Sequence, residues 1–340
     1  MNDPAAHTLS IALCTYNGAT YLPTQWQSLL EQDRLPDEVV ICDDRSTDTT
    51  VALLHELAAA APFRVRIEQN AQQLGYNKNF ERALSLCTGD LILLCDQDDF
   101  WMPAKISTMA DHMARHPATQ IAFCNAWMAD EHLNRQERLF WQQVRFDETT
   151  QARWRAGEAL DVLLDGNRMM GAASIIRRSF LPTLLPIPAQ VPGYIYDGWL
   201  ALVAAAHGAI DFVDVPLQLY RTHPQQQVGV RETPPPPAIR LQDRFRRERD
   251  LKLKPLRDKY EQLGTLYKLL ESRGPADTGA LEQIRRRLQH YAMRSSLPDN
   301  RLRRLWPVLD GIRRGNYHRY ADASANGYAP YVAALGDLFE

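Results

Sequence analysis

Three short apolar runs, each followed at once by polar residues, constrain the fold of this chain more than any other feature. LSIALC precedes Thr15-Tyr16-Asn17, EVVIC precedes Asp43-Asp44, and LILLC precedes Asp96-Gln97-Asp98-Asp99. Stretches with helical spacing of apolar residues, such as 19–33 and 76–87, lie between these runs. The alternation of buried strands with helices predicts an α/β fold with a mostly parallel central sheet.

The polar residues after the three runs predict one shared site. In parallel sheets, ligands bind beyond the carboxyl ends of the strands. One polar cluster alone could be a strand-terminating loop, whereas three consecutive clusters favour a ligand site. Asp96, Asp98 and Asp99 repel one another unless a positive group lies among them. A hard divalent cation that carries a diphosphate would satisfy them, because Mg²⁺ and Mn²⁺ bind carboxylate and phosphate oxygens.

Later segments predict further elements and a second region. Apolar runs at 121–130, 172–180 and 211–223 predict strands, and Asp197 begins a predicted helix. The segment TPPPPA (233–238) predicts a semi-rigid spacer between two domains. We therefore expect a catalytic domain over residues 1–232 and a helical, basic region over residues 239–340.

Composition and charge exclude some classes of protein. Of the 340 residues, 45% are hydrophobic and 24% are charged, which is typical of globular chains. Formal net charge is −2, but residues 238–340 hold 21 Lys and Arg against 13 Asp and Glu, so the basic charge is concentrated there. Nothing in the sequence indicates nucleic-acid binding. The chain shows no signal-peptide pattern and no apolar stretch near the roughly 20 residues that span a bilayer. Most of its five cysteines lie in apolar runs, which favours reduced thiols and a cytoplasmic location.

Several motifs, in order, resemble family 2 glycosyltransferases with the GT-A fold. The resemblance covers roughly residues 8–230, and its later segments are most similar to bacterial rhamnosyltransferase-like members that build O-antigen or capsule glycans. The matching segments are TYNG (15–18), EVVICDDRSTDTT (38–50), Asn70 to Gly75 with Asn79, CDQDDFW (95–101), Gly171-Ala172-Ala173, YDGWLALVA (196–204) and PLQLYRTHPQQQVG (216–229).

The resemblance implies a nucleotide-sugar donor held beside a divalent metal ion. Asp98 would be a direct ligand of Mn²⁺ or Mg²⁺, with Asp96 near the ribose and the metal, and His223 could complete the metal shell. Asp99 would either support the metal ligands or contact the donor sugar, and Trp101 would either pack against the sugar or lie in the core. Helix capping is the open alternative for the acidic pair after the second strand, and a plain strand-to-helix loop is the alternative for Gly75 and Asn79. The implied donor-binding residues are Thr15, Tyr16, Asn17, Asp43, Asp44, Gly75, Asn79, Asp96, Asp99 and Arg221.

The resemblance also implies that Asp197 is the catalytic base of an inverting transfer. Such a base accepts the proton of the acceptor hydroxyl as that oxygen attacks the anomeric carbon. Many relatives carry Glu-Asp or His-Asp here, whereas this chain has Tyr196-Asp197. The open alternative is that Asp197 caps a helix.

Together these features predict an enzyme that moves a sugar, rhamnose or another hexose or deoxyhexose, from a UDP- or dTDP-sugar. The acceptor would be a glycan or lipid-linked glycan of the bacterial surface, as in O-antigen, capsule or exopolysaccharide synthesis. The alternative is a catalytically degenerate nucleotide-sugar-binding or scaffold protein of the same fold. For the basic C-terminal region, two partners remain open: the inner face of the cytoplasmic membrane, or a second copy of the chain.

Overall fold

The computed structural model describes residues 7–227, 229, 249–274, 278–321 and 327–339. The chain divides into two compact units, one within residues 1–230 and the other within residues 231–340. The predicted proline spacer, 233–238, lies outside the described residues.

The first unit is a mixed α/β structure built around one sheet. Its strands are β1 (Leu9–Thr15), β2 (Glu38–Asp43), β3 (Arg64–Gln69), β4 (Leu91–Asp96), β5 (Phe100–Trp101), β6 (Ile121–Ala129), β7 (Arg135–Leu139), β8 (Ser174–Arg177) and β9 (Ile210–Arg221). Its helices are α1 (Leu22–Leu30), α2 (Thr50–Ala59), α3 (Tyr76–Leu86), α4 (Lys105–Arg115), α5 (Phe140–Gln143), α6 (Glu148–Arg153), α7 (Ala159–Leu164), α8 (Leu181–Leu184) and α9 (Tyr196–Ala206).

The sheet order is β3-β2-β1-β4-β8-β6-β9-β5, with β7 paired to β6. Strands β3, β2, β1 and β4 run parallel, and so do β6 and β9, whereas β8 is antiparallel to both of its neighbours. Every residue of β1 and β2 is buried, as expected for strands covered by helices on both faces. Because β1, β2 and β4 run parallel, their carboxyl ends lie at one edge of the sheet, as the sequence predicts.

The strand predicted over residues 172–180 is shorter than expected. Only Ser174–Arg177 pair in the sheet, and single turns of 3₁₀ helix flank them. Residues Gly171–Ala173 form a 3₁₀ turn before β8, and two of their carbonyl groups accept hydrogen bonds from side chains. The carbonyl of Gly171 accepts from the hydroxyl of Ser174 at 2.6 Å, and the carbonyl of Ala172 accepts from Lys105 at 2.6 Å.

The second unit is helical in its described part. Its helices are α10 (Arg249–Glu271), α11 (Thr278–Ser295), α12 (Arg301–Arg313), α13 (Asn316–Arg319) and α14 (Ala329–Phe339). Leu297, Val308, Tyr317 and Ala334 form a small buried cluster, which an ion pair of 2.6 Å between Arg294 and Asp337 borders. Among the described helices of the chain, none combines the length and the apolar character that crossing a membrane requires.

Candidate active site

A cavity of about 1060 Å³ opens at the carboxyl ends of β1, β2 and β4. Ligand sites for small molecules typically measure about 300–1,000 Å³, so this cavity has room for a large polar ligand. The start of α9 and the loop after β9 complete its wall. Nine of the residues singled out from the sequence line it: Thr15, Tyr16, Asn17, Asp44, Asn79, Asp96, Asp98, Asp197 and His223.

Gln97, the residue between the two aspartates of the Asp-x-Asp motif, fixes the end of β1. Its side-chain oxygen accepts from the backbone N–H of Tyr16 at 2.9 Å, and its side-chain nitrogen donates to the carbonyl of Tyr16 at 3.0 Å. Gly18 permits this approach, since a Cβ there would lie 2.0 Å from the Gln97 oxygen. Gln97 therefore positions Tyr16 in the cavity wall, a role that the sequence pattern alone did not reveal.

Asn17 joins the loops that follow β1 and β2. Its backbone is in the left-handed region, with a φ of 47°. Its N–H donates to the hydroxyl of Ser46 at 2.8 Å, and its side-chain oxygen accepts from the N–H of Thr47 at 2.8 Å. The two loops therefore form one side of the cavity as a unit.

Asp43 supports this wall from behind and does not line the cavity. Its carboxylate accepts from the hydroxyls of Thr15 at 2.9 Å and Ser46 at 2.5 Å, and the residue is fully buried. Direct contact with a donor, expected for Asp43, does not fit this geometry because strand-end groups occupy the carboxylate. Helix capping does not fit either, since α2 is preceded by Thr49 at the cap position.

Asp44 lines the cavity and holds the loop before α3. One oxygen accepts from Asn70 at 2.8 Å and from the N–H of Leu74 at 2.7 Å, and the other accepts from the N–H of Gly75 at 2.8 Å. Asn79 continues the network by accepting from Asn70 at 2.8 Å. Gly75 supplies a backbone turn with a φ of 77° next to Tyr76, which lines the cavity, and the contact of Gly75 with a donor stays a prediction.

The carboxylates after β4 occupy three different environments. Desolvation raises the pKa of Asp96, and the charges of Asp98 and Asp197 raise it further. Within the described part of the chain, no hydrogen bond reaches the Asp96 carboxylate. Asp98 lies beside His223, with Oδ2 2.9 Å from Nε2. The two carboxylates that face this cavity supply the oxygen ligands that Mn²⁺ and Mg²⁺ prefer, and His223 lies beside them.

Asp99 and Arg221 do not line the cavity directly but lie next to residues that do. Asp99 is 1% exposed and accepts from the side chain of Gln218 at 3.0 Å and from the N–H of Arg221 at 3.2 Å. The guanidinium of Arg221 donates to the carbonyl of Asp98 at 2.7 Å and lies 4.9 Å from the ring centroid of Tyr21. These bonds tie the end of β9 to the Asp-x-Asp segment, while Nη2 of Arg221 is buried without a hydrogen-bond partner among the described residues.

Lys105 places a buried positive group beneath the acidic segment. Its ammonium donates to the carbonyl of Ala172 at 2.6 Å and to the side-chain oxygen of Gln218, and it lies 3.7 Å from the ring centroid of Trp101. Burial lowers the pKa of Lys105, whereas nearby groups that include Asp99 raise it. Trp101 is fully buried and does not line the cavity, which favours a core position over contact with the sugar. Lys105 and Gln218 belong to the site although no sequence motif singled them out.

Asp197 lies in the first turn of α9, and its carboxylate accepts three hydrogen bonds. Asn167 donates to Oδ1 at 3.0 Å, the N–H of Gly171 donates to Oδ2 at 3.1 Å, and the N–H of Gly198 donates to Oδ1 at 2.6 Å. Burial raises the pKa of Asp197 to about 6, although these backbone bonds oppose the rise. The cap position of α9 is Ile195, so Asp197 is not itself the cap residue, although its carboxylate accepts from the N–H of Gly198 within the first turn.

Gly171 is required by the packing at this end of the cavity. A Cβ on Gly171 would lie 2.2 Å from the hydroxyl oxygen of Tyr196. Tyr196 itself stacks on Phe80, with ring centroids 4.2 Å apart. Tyr196 is thus a packing residue that shapes the wall beside Asp197.

Comparison with solved structures identifies the fold. The chain is similar to Staphylococcus aureus TarS in complex with UDP-GlcNAc, with a TM-score of 0.56, 16% identity, and coverage of 97% of this chain and 88% of that one. It is also similar to the mannosyltransferase PcManGT from Pyrobaculum calidifontis in complex with GDP-Man and Mn²⁺, with a TM-score of 0.51, 13% identity, and coverage of 98% and 86%. These likenesses confirm the predicted GT-A fold.

Comparison of sequences identifies relatives over parts of the chain. Uncharacterized proteins of Mycobacterium bovis and Mycobacterium tuberculosis are 29% identical over 217 residues, which is 63% of this chain and 59% of their own length. The dTDP-rhamnosyl transferase RfbG of Shigella flexneri is 33% identical over 103 residues, which is 29% of this chain and 36% of that protein. The family model "Glycosyl transferase family 2" matches residues 10–181, half of the chain. The chain therefore belongs to glycosyl transferase family 2.

Proposed function

We propose that this protein is an inverting, metal-dependent glycosyltransferase that uses a nucleotide-diphosphate sugar. The observation that carries the proposal is that Asp96, Asp98 and His223 line the same cavity as Asp197. The first three side chains suit a cation that carries a diphosphate, and Asp197 is a carboxylate whose raised pKa suits proton transfer. The charge of Asp197 raises the pKa of Asp96, so the two parts of the site are close enough to interact.

In the proposed reaction, Asp197 accepts the proton of an acceptor hydroxyl. The hydroxyl oxygen then forms a bond to the anomeric carbon while the bond from that carbon to the diphosphate oxygen breaks. The bonding electron pair leaves with the nucleotide diphosphate, and the configuration at the carbon inverts. Asn167 and Gly171 hold the carboxylate by one bond to each oxygen, which fixes its orientation toward the cavity.

The cofactor would be held by Asp96, Asp98 and His223. When bound, Mn²⁺ or Mg²⁺ would neutralise the negative charge that develops on the leaving diphosphate. Arg221 anchors the backbone of this segment through the carbonyl of Asp98. Asp44 and the Asn17 loop would border the nucleotide, because they lie at the ends of β1 and β2.

We propose that the donor is a UDP- or dTDP-sugar. The enzyme would transfer rhamnose, or another hexose or deoxyhexose, to a glycan acceptor of the bacterial surface. The similarity to a dTDP-rhamnosyl transferase supports this choice over a limited part of the chain. TarS and PcManGT are solved with UDP-GlcNAc and GDP-Man, so proteins of this fold bind different nucleotides. A donor screen by thermal shift with Mn²⁺, across UDP-, dTDP- and GDP-sugars, tests the assignment.

Two substitutions test the division of roles. Asp98→Ala should abolish metal-dependent binding of the selected donor, measured by calorimetry. Asp197→Asn should leave donor binding within about threefold of wild type and stop the release of nucleotide diphosphate in the presence of acceptor. Near-wild-type turnover in Asp197→Asn would contradict the base assignment. Donor binding by the wild type without any acceptor-dependent release would instead favour the degenerate scaffold.

The second unit supports a proposal about location. The exposed side chains Leu302, Leu305, Trp306 and Leu309 follow helical spacing along α12, and Leu302 and Trp306 are each 77% exposed. Arg301, Arg303, Arg313 and Arg314 are also exposed on this helix or beside it. We propose that residues 239–340 form a helical region that attaches the enzyme to the anionic inner face of the cytoplasmic membrane. Sedimentation with vesicles that contain anionic lipid tests this, and salt-insensitive dimerisation without vesicle binding would favour the alternative partner.

A further inference from the structure

A second group of potential metal ligands lies outside the cavity. It consists of His112 on α4, His116 directly after α4, and Asp211 near the start of β9. One ligand atom from each residue lies within 4.8 Å of the other two. None of the three lines the cavity. Along β9, Asp211 is ten residues before Arg221, which places the group about 30 Å from the acidic segment.

The two histidines are arranged as neighbours on one face of the helix end. They are four residues apart, and their ring centroids are 4.3 Å apart with the ring planes inclined by 34°. Asp211 approaches from the sheet, with Oδ2 3.0 Å from Nε2 of His112. Its other oxygen accepts from the N–H of Phe212 at 2.8 Å, which holds the carboxylate in place.

Hydrogen bonding sets His116 in the form that binds a metal. Its Nδ1 lies 2.9 Å from the carbonyl oxygen of His112. Because a carbonyl only accepts, Nδ1 carries the proton, and Nε2 of the neutral ring keeps its lone pair. Metal-binding histidines are commonly fixed in this way, by a bond from the second nitrogen to a carbonyl or carboxylate.

Negative charge and access from solvent suit this group to a cation. The carboxylate of Asp211 places a negative charge beside the imidazole of His112, with Oδ2 3.0 Å from Nε2. The carbonyl end of α4 adds partial negative charge. His112 is 8% exposed whereas His116 is exposed, so a metal could enter from solvent on the side of His116.

We propose that His112, His116 and Asp211 form a binding site for Zn²⁺ or a similar transition-metal ion that is separate from the site for the catalytic cation. Two imidazoles and one carboxylate are a common ligand set for Zn²⁺, with water in the fourth position, whereas Mg²⁺ and Mn²⁺ prefer oxygen ligands. Zn²⁺ binds nitrogen at about 2.0–2.1 Å, so its tetrahedral ligand atoms lie about 3.4 Å apart. Nε2 of His112 and Oδ2 of Asp211 are 3.0 Å apart, so a small shift of the exposed His116 side chain, now within 4.8 Å, completes the site. The metal would join the end of α4 to the start of β9, two elements that also carry Lys105 and Arg221.

Zinc titration of metal-stripped full-length protein tests the proposal. The Asp98→Ala background removes competition from the cavity, and a chromophoric chelator reports binding of Zn²⁺ alone. We expect one equivalent of Zn²⁺ to bind and to raise the melting temperature. His116→Ala should weaken binding at least tenfold, and so should Asp211→Asn, which keeps a hydrogen-bonding group beside His112.

His55→Ala provides the matched control, because His55 is an exposed histidine on a different helix, α2. This substitution should leave the stoichiometry and the affinity unchanged. Cobalt substitution supplies a second measurement: Co²⁺ should give visible absorption bands of four-coordinate geometry that vanish in His116→Ala. Failure to bind Zn²⁺, or equal binding by His116→Ala and His55→Ala, would overturn the proposal.

Discussion

Substitution of Asn167 tests how the protein sets the acidity of the proposed base. Asn167 donates a hydrogen bond of 3.0 Å to Oδ1 of Asp197, and burial holds the pKa of Asp197 at about 6. In Asn167→Ala this donor is lost while the carboxylate stays buried. The charged form of Asp197 therefore becomes less stable, and its pKa should rise.

The size of the rise follows from the strength of the bond. A hydrogen bond to a charged group contributes about 1.5–3 kcal/mol, and one pKa unit corresponds to about 1.4 kcal/mol. The pKa of Asp197 should therefore move from about 6 to between about 7 and 8. At pH 7 the ionised fraction of Asp197 falls from about nine-tenths to between about one-half and one-tenth. The rate at pH 7 should fall about two- to tenfold.

The sign of the pH dependence is specific to a base. Asp197 acts in its ionised form, which is present above its pKa and is lost as the pH falls. For the wild type with saturating metal, kcat/KM should therefore decline below about pH 6. For Asn167→Ala the decline should begin one to two units higher, and activity should return to near the wild-type rate at pH 9.

The assay is acceptor-dependent release of nucleotide diphosphate, measured from pH 5 to pH 9 at constant ionic strength. Asp197→Asn serves as the control and should be inactive across the whole range. Asn167 also bonds the backbone of Met169, so its loss could disturb the local loop. A purely structural effect would lower the rate equally at every pH. An acid limb that stays near pH 6 in Asn167→Ala would refute the reasoning.

Three further substitutions test supporting contacts. Gln97→Ala removes both bonds to Tyr16 and should raise KM for the donor more than it lowers kcat, which steady-state kinetics would show. Lys105→Met leaves the buried oxygens of Ala172 and Gln218 without this donor and should lower the free energy of unfolding by about 1–3 kcal/mol for each oxygen. Urea denaturation measures this, and an unchanged unfolding midpoint would contradict it. Burial alone would raise the pKa of Glu38, but hydrogen bonds from Ser10 and Thr88 hold it below 4.5. The stability that Glu38 adds is therefore present above pH 4.5 and lost in acid. Glu38→Gln should lower the free energy of unfolding by less at pH 3 than at pH 7, measured by urea denaturation at both pH values.

The sequence predicts those parts of the structure that depend on local pattern. Apolar runs that end in carboxylates are buried strands, and strand–helix alternation requires their carboxyl ends to share an edge. For this reason Asp44, Asp96 and Asp98 are found together at the cavity. Asp197 comes from a helix a hundred residues later, and only the family resemblance linked it to the site.

The supporting residues were not predictable in the same way. Lys105 occupies the first position of a helix, where a lysine is ordinarily solvated, yet it is fully buried. Gln218 is an unremarkable polar residue within β9, and Asn167 lies in a segment without a clear pattern. Their roles depend on long-range packing, which places Lys105 beside residues 67 and 113 positions away. For Asp99 the motif left open a donor-sugar contact or a supporting position, and its burial and two internal bonds favour the supporting position.

The three clustered carboxylates are therefore compatible because each meets a different environment. Asp99 receives hydrogen bonds from Gln218 and Arg221, and Asp98 lies against His223. Asp96 receives no hydrogen bond from the described residues, and burial together with the charges of Asp98 and Asp197 raises its pKa to about 8. A cation bound with the diphosphate would supply the missing compensation, so metal binding should release a proton from this site near neutral pH. Calorimetric titration with Mn²⁺ in buffers of different ionisation enthalpy measures that proton, and its absence in Asp96→Asn would assign it to Asp96.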